Sequence, residues 1–201
     1  MADEEQKPTK VCFVTIGATA PFNLLLSNVL NTRFLDSLSL YGYTDLLIQF
    51  GNEGRVIFEE YMHKYPFGEC GLNISGFDFN RTGLSQEMLS TKGNKDVGRR
   101  RAEGMILSHA GSGSILEALR IGIPLVVVPN PALQDNHQQE LADELSKQGY
   151  AVSSDPTDIA SAVRKAESLR SRLQGWPPIN SGQDTSQGLG QVMADEMGFI
   201  D

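Results

Sequence analysis

Three short stretches of this chain bring together residue types that could handle a phosphorylated, hydroxyl-rich ligand. The first is His109-Ala110-Gly111-Ser112-Gly113-Ser114, between an apolar run and a segment of helical period. Gly111 and Gly113 allow backbone to approach a diphosphate closely, and a helix beginning there would aim free N–H groups at negative charge. The second is Pro129 to Gln138 (PNPALQDNHQ), whose amide, carboxylate and imidazole groups suit the hydroxyls of a sugar. The third, Gly17-Ala18-Thr19-Ala20, is a small-residue loop after the first apolar run.

Each stretch has a plainer reading. Glu117 completes a capping box with Ser114 as readily as it binds a ribose, and the two roles are compatible. His109 and His137 also fit as ordinary polar residues at the end of a strand and the start of a helix, and His63 reads as a surface residue of a helix. Several chemistries lack their signatures. The chain has neither the G-x-G-x-x-G spacing of a dinucleotide site nor the lysine of a P-loop, and it has no G-x-S-x-G elbow or H-E-x-x-H zinc helix. Cys12 and Cys70 have neither the number nor the spacing of a disulfide framework or a zinc site. With 17 Lys and Arg against 25 Asp and Glu the net charge is −8, which argues against a nucleic-acid binder.

The elements that would position these loops alternate along the chain. Strands are expected at Val11 to Ile16, Thr44 to Phe50, Leu72 to Phe77, Gly104 to His109, Leu125 to Val128 and Tyr150 to Val152, with helices in most of the gaps. Continuous apolar strands joined by helices imply parallel pairing with both faces covered, so the expected fold is α/β, a Rossmann-like open parallel sheet. Local chemistry places helix starts at Ser114, at Asp135 with Gln138, and at Asp155-Pro156, and helix stops at Gly122 and Gly149.

At 201 residues the chain has length for one such domain. The expected organisation is a polar tail over 1–10, the domain over 11–174, and a linker with a C-terminal tail over 175–201. Asn73-Ile74-Ser75 matches a glycosylation acceptor by chance, because no signal-peptide core or membrane-spanning stretch precedes it and the chain is expected in the cytosol. The segment 92–101 holds five basic residues and one acid, about +4 locally, and reads as a solvated insertion or as a membrane- or phosphate-facing patch. Leu189, Val192, Met193, Met197, Phe199 and Ile200 give the acidic tail an apolar component, which must dock on its own domain or on a partner.

The string from Ile106 to Tyr150, with HAGSGS-x-x-E and DNHQ, resembles the catalytic subunits of the two-part UDP-N-acetylglucosamine transferase of dolichol-linked oligosaccharide assembly, in their fungal form. Val11 to Pro21, Ile48 to Gly54 and Gly76 to Phe79 extend the resemblance over most of residues 11 to 152. It implies the donor-binding C-terminal half of a GT-B glycosyltransferase. It further implies Glu117 on the ribose, and Gly111, Ser112, Gly113 and Ser114 on the diphosphate with His109 and Gly17, Ala18 and Thr19 beside them. Asp135, Asn136, His137 and Gln138 would lie on the sugar, and Phe77 and Phe79 near the uracil. The first loop reads GATAP where the family more often has GTT, which weakens the carry-over to Thr19.

The reaction so implied is inverting transfer without a metal or other cofactor, with His137 or a partner residue as general base. The acceptor domain would belong to a membrane-anchored partner that recruits this chain to the cytosolic face of the endoplasmic reticulum, with the apolar tail as the docking element. Competing readings are a UDP-sugar epimerase, which carries both domains in one chain, and a non-catalytic nucleotide-sugar-binding module.

Overall fold

The structure, a computed structural model, describes residues 7–17, 20–66, 70–94, 100–133 and 136–175. Its strands are β1 (Thr9–Thr15), β2 (Asp45–Gln49), β3 (Asn73–Phe77), β4 (Arg101–His109), β5 (Leu125–Val128) and β6 (Val152–Ser153). The helices are α1 (Asn23–Val29), α2 (Thr32–Leu40), α3 (Gly51–Lys64), α4 (Ser85–Ser90), α5 (Ser112–Ile121), α6 (His137–Lys147) and α7 (Ile159–Gly175). All six strands form one parallel sheet in the order β3-β2-β1-β4-β5-β6. The order reverses between β1 and β4, and the loops leaving these two strands diverge to open a crevice.

Side chains alternate across the sheet, and both faces are covered. Cys12 and Val14 of β1, Met105 and Leu107 of β4, and Val126 and Val128 of β5 join one core cluster; Phe13, Ile106, Leu125 and Val127 join the other. The first cluster takes Leu25, Leu26 and Val29 from α1, Phe34, Leu35 and Leu38 from α2, and Val163 and Ala166 from α7. The second takes Met88 from α4, Ile115 and Ala118 from α5, and Leu141, Ala142 and Leu145 from α6. Helices this short are marginal alone, and burial of each large apolar side chain, worth about 1.5–3 kcal/mol, holds them to the sheet.

Three helix starts differ from expectation, those of α5, α6 and α7, the last beginning at Ile159 rather than at Asp155-Pro156. Between α1 and α2 the Asn31 side chain accepts from the Arg33 N–H at 3.0 Å and starts α2. Helix α5 begins at Ser112 with Gly111 as its N-cap and no side-chain cap, so the Ser114–Glu117 capping box does not form. Gly111 is extended (φ −83°, ψ 124°), which lets the helix cap fall three residues earlier than Ser114. Helix α6 likewise has Asn136 as an N-cap without a side-chain cap bond. The expected stops hold: Gly122 is left-handed at the end of α5, and Gly149 follows the C-cap of α6.

Helix α7 crosses back to the first face and is locked near the starts of β1 and β4, away from the loops. Arg170 donates to Glu103 Oε1 at 2.9 Å, to the Gly104 carbonyl at 2.8 Å and to Glu167 Oε2 at 3.0 Å. Lys10 and the Tyr43 hydroxyl donate to the same Glu167 carboxylate at 3.1 and 2.7 Å. Burial works to raise the Glu167 pKa, but bonds from Arg170 and Tyr43 and the nearby cations hold it below the ordinary value. No helix among the described residues is long and apolar enough to cross a membrane.

Candidate functional site

The crevice at the strand-order reversal is built around His109, the last residue of β4. Its imidazole is enclosed between two glycines. A Cβ on Gly17 would stand 2.6 Å from His109 Nε2, and one on Gly111 would stand 2.3 Å from it. Gly17 also has φ +85°, a conformation that other residues adopt at a cost. Both glycines are therefore required by the ring they enclose. Burial pushes the His109 pKa below its ordinary value, with the Thr15 backbone acting weakly the other way. Its Nδ1 is buried without a hydrogen-bond partner among the described residues.

Gln49, which sequence reasoning did not single out, holds the β1 loop in place. This residue is 2% exposed at the end of β2. Its Oε1 accepts from the Thr15 hydroxyl at 2.6 Å, and its Nε2 donates to the carbonyls of Gly17 at 3.1 Å and Asp78 at 3.2 Å. One amide thus ties together the ends of β1, β2 and β3. The only advance signal is a polar residue in an otherwise apolar strand.

On the other side of His109, Ser112, Gly113 and Ser114 form the first turn of α5. Their N–H groups have no intrahelical acceptor, and no side chain caps them. The end of α5 thus offers backbone donors and partial positive charge beside the imidazole. Glu117 follows one turn after Ser114, on the same side of the helix as Gly113 and Ser114. Its carboxylate accepts a hydrogen bond from the Ser85 hydroxyl at the start of α4. Ser85 is another residue that sequence reasoning missed, because the pair spans 32 positions.

The expected sugar-facing segment is placed in part. Asn136 and His137 are exposed at the start of α6, with His137 Nδ1 4.0 Å from Glu140 Oε2. Gln138 turns inward, its Oε1 accepting from the Asn130 N–H at 2.9 Å, and it lines a small cavity with Gly17 and His109. Asp135, Ala18 and Thr19 lie outside the described residues, as does the apolar tail with Leu189, Val192, Met193, Met197, Phe199 and Ile200.

Of the expected uracil neighbours, Phe77 is half-buried and stacks on Phe13 with centroids 6.5 Å apart, while Phe79 is 54% exposed. Phe77 thus also packs within the sheet. Phe79 follows Asp78, whose carboxylate pairs with Arg55 and accepts from the Phe79 N–H at 2.7 Å.

An open parallel sheet with an uncapped glycine-rich helix start at its reversal point has the architecture of the C-terminal half of a GT-B glycosyltransferase. Comparison with known proteins agrees. The glycosyltransferase family 28 C-terminal domain matches residues 11–181. The UDP-N-acetylglucosamine transferase subunit ALG13 of Saccharomyces cerevisiae is 35% identical over 191 residues, covering 84% of this chain and 89% of its own. The subunit of the same name from Yarrowia lipolytica is 34% identical over 188 residues, covering 94% and 84%.

Among solved structures, the NMR solution structure of ALG13 superposes with a TM-score of 0.62 at 30% identity, covering 92% of this chain and 96% of that one. The Acinetobacter baumannii MurG crystal structure superposes at 0.55 and 19% identity over 84% of this chain and 43% of that one, a likeness of fold alone. The chain belongs to the glycosyltransferase family 28 C-terminal domains and, within them, to the family of ALG13 transferase subunits.

Proposed function

We propose that this chain is the donor-binding, catalytic subunit of an inverting transferase that moves N-acetylglucosamine from UDP-N-acetylglucosamine to dolichyl diphosphate N-acetylglucosamine. The observation that carries this reading is the uncapped start of α5 beside His109, with Glu117 one turn further along the same helix face. Its relatives are named as subunits of a UDP-N-acetylglucosamine transferase, which supports the donor and the need for a partner.

In this reading the N–H groups of Ser112, Gly113 and Ser114 take the diphosphate, and the Glu117 carboxylate accepts from the two ribose hydroxyls. The acceptor hydroxyl attacks the anomeric carbon, the bond from that carbon to the diphosphate oxygen breaks, and UDP departs with inversion. Negative charge grows on the leaving diphosphate. Fixed backbone dipoles stabilise it without reorganising, which supplies the role that a divalent ion plays in other transferases. The hydroxyl proton goes to a base. His137, exposed at the start of α6, and a residue of the partner are the two candidates for that base.

The acceptor domain comes from a membrane-anchored partner subunit, and the chain works at the cytosolic face of the endoplasmic reticulum, held there by its apolar tail. The test is transfer by the reconstituted pair to dolichyl diphosphate N-acetylglucosamine. Product formation that depends on Glu117 supports the reading. Donor binding without transfer by the complete pair would mark the chain as a nucleotide-sugar-binding module instead.

A further inference from the structure

Asn130 follows β5 between Pro129 and Pro131 and is 8% exposed. The two prolines lack N–H groups, and the second confines Asn130 to extended backbone. Its own polar groups are committed in four directions. The N–H donates to Gln138 Oε1 at 2.9 Å, and the carbonyl accepts from the Leu133 N–H at 3.2 Å. Side-chain Oδ1 accepts from the Ala132 N–H at 3.1 Å, and Nδ2 donates to the Pro21 carbonyl at 3.2 Å. One buried amide therefore fastens the loop after β1 to the loop after β5, 109 positions away, and its backbone fastens both to the first turn of α6.

The placement of this knot matters as much as its bonds. Asn130 lines the small cavity that contains Gly17, His109 and Gln138. It also lines a second cleft of about 400 Å³ that reaches Ser154 and Asp155, so it stands in the wall between the two. Because the Asn130 N–H can only donate, the Gln138 amide must turn its oxygen inward. Gln138 Nε2, which can only donate, is then the end of the amide turned away from Asn130.

We propose that Asn130 is a positioning residue for the sugar end of the donor site, fixing the separation of the β1 loop from α6 and the orientation of Gln138. This rests on the donor-site reading above. Among the described residues the α5 N–H groups that take the diphosphate make no bond to Asn130, so its main effect falls on discrimination between UDP and UDP-N-acetylglucosamine.

The experiment measures affinity for UDP and for UDP-N-acetylglucosamine in the complex of this chain with its partner subunit, together with thermal unfolding. Asn130→Asp keeps the acceptor for Ala132 but replaces the donor to Pro21 with a charged oxygen. Gln138→Glu keeps an oxygen for the Asn130 N–H but replaces the Nε2 donor with a charged acceptor. Each variant is expected to bind UDP within about twofold of wild type while losing about tenfold in preference for the nucleotide sugar.

Equal loss for both ligands with a lowered melting temperature in Asn130→Asp would make the residue merely structural and overturn the proposal. So would an unchanged preference in either variant, and Gln138→Glu decides alone where Asn130→Asp fails to fold. A wild-type complex with no preference for the nucleotide sugar would instead bring down the donor-site reading, and this inference with it.

Discussion

The Gly17 backbone and the His109 imidazole lie so close that a single added carbon on Gly17 would stand 2.6 Å from Nε2. Gly111 presses on the same ring from the start of α5. The two loops of the crevice are therefore spaced by the thickness of one imidazole, and the glycines and the histidine form a single unit.

That unit predicts coupled substitutions. Gly111 has an ordinary φ of −83°, so Gly111→Ala should suffer only from the ring, at about 1–3 kcal/mol of overpacking. In a His109→Ala background most of that penalty should vanish, which urea denaturation of the two single variants and the double variant would reveal as coupling. Additive losses would contradict the enclosure. Gly17→Ala should remain destabilised in both backgrounds, because its φ of +85° is strained whatever stands beside it.

Burial of His109 also sets a pH dependence. Its folded pKa lies below the ordinary 6.5, so the unfolded chain binds the proton more readily and stability falls as pH drops below about 6.5 toward the folded value. Above that window the contribution is level. Denaturation midpoints between pH 7.5 and 5.5 should decline in wild type and decline less in His109→Gln. Glu167 is depressed from 4.5 and contributes stability that is lost only at lower pH, below this window.

The Ser85–Glu117 bond predicts a graded effect on donor binding. Glu117→Ala should cost UDP about 1.5–3 kcal/mol, and Ser85→Ala about 0.5–1.5 kcal/mol through the loosened carboxylate alone. In the double variant the Ser85 effect should disappear. Calorimetric titration checks all three, and a Ser85 effect that persists without Glu117 would show that the serine acts elsewhere.

Arg170 offers the opposite pattern. Arg170→Met leaves the half-buried Glu167 carboxylate with only Lys10 and Tyr43 and should cost about 1–3 kcal/mol of stability. Donor affinity should be unchanged, since the network lies at the strand starts and the loops at the strand ends. Chemical denaturation alongside calorimetry separates the two effects.

The strands were most legible where they are local apolar runs, and Leu125 to Val128 matches β5 residue for residue, whereas β6 overlaps the expected Tyr150 to Val152 only at Val152. Their parallel pairing followed from the helices between them. Helix starts were less legible: Ser114 with Glu117 has the composition of a capping box, yet the extended Gly111 begins α5 earlier and leaves Glu117 to meet Ser85. Gln138, expected to cap α6 or face a sugar, spends its oxygen on Asn130.

Gln49 and Ser85 were missed because their hydrogen bonds cross 29 to 34 positions. The bond from Asn130 to Pro21, 109 positions away, was equally illegible, although Asn130 lies in the polar loop the sequence points to. The candidate site's glycines and its histidine stood out by type and spacing, while the groups that hold them in place did not.

The central claim is that the donor site lies on this chain, with Glu117 on the ribose. The most direct measurement is calorimetric titration of the chain, alone and with its partner subunit, using UDP-N-acetylglucosamine, UDP-glucose and NAD, repeated with Glu117→Ala. The account predicts that UDP-N-acetylglucosamine binds preferentially and that the variant loses about tenfold to a hundredfold in affinity. Preference for NAD, no binding even in the complex, or an affinity indifferent to Glu117 would contradict it.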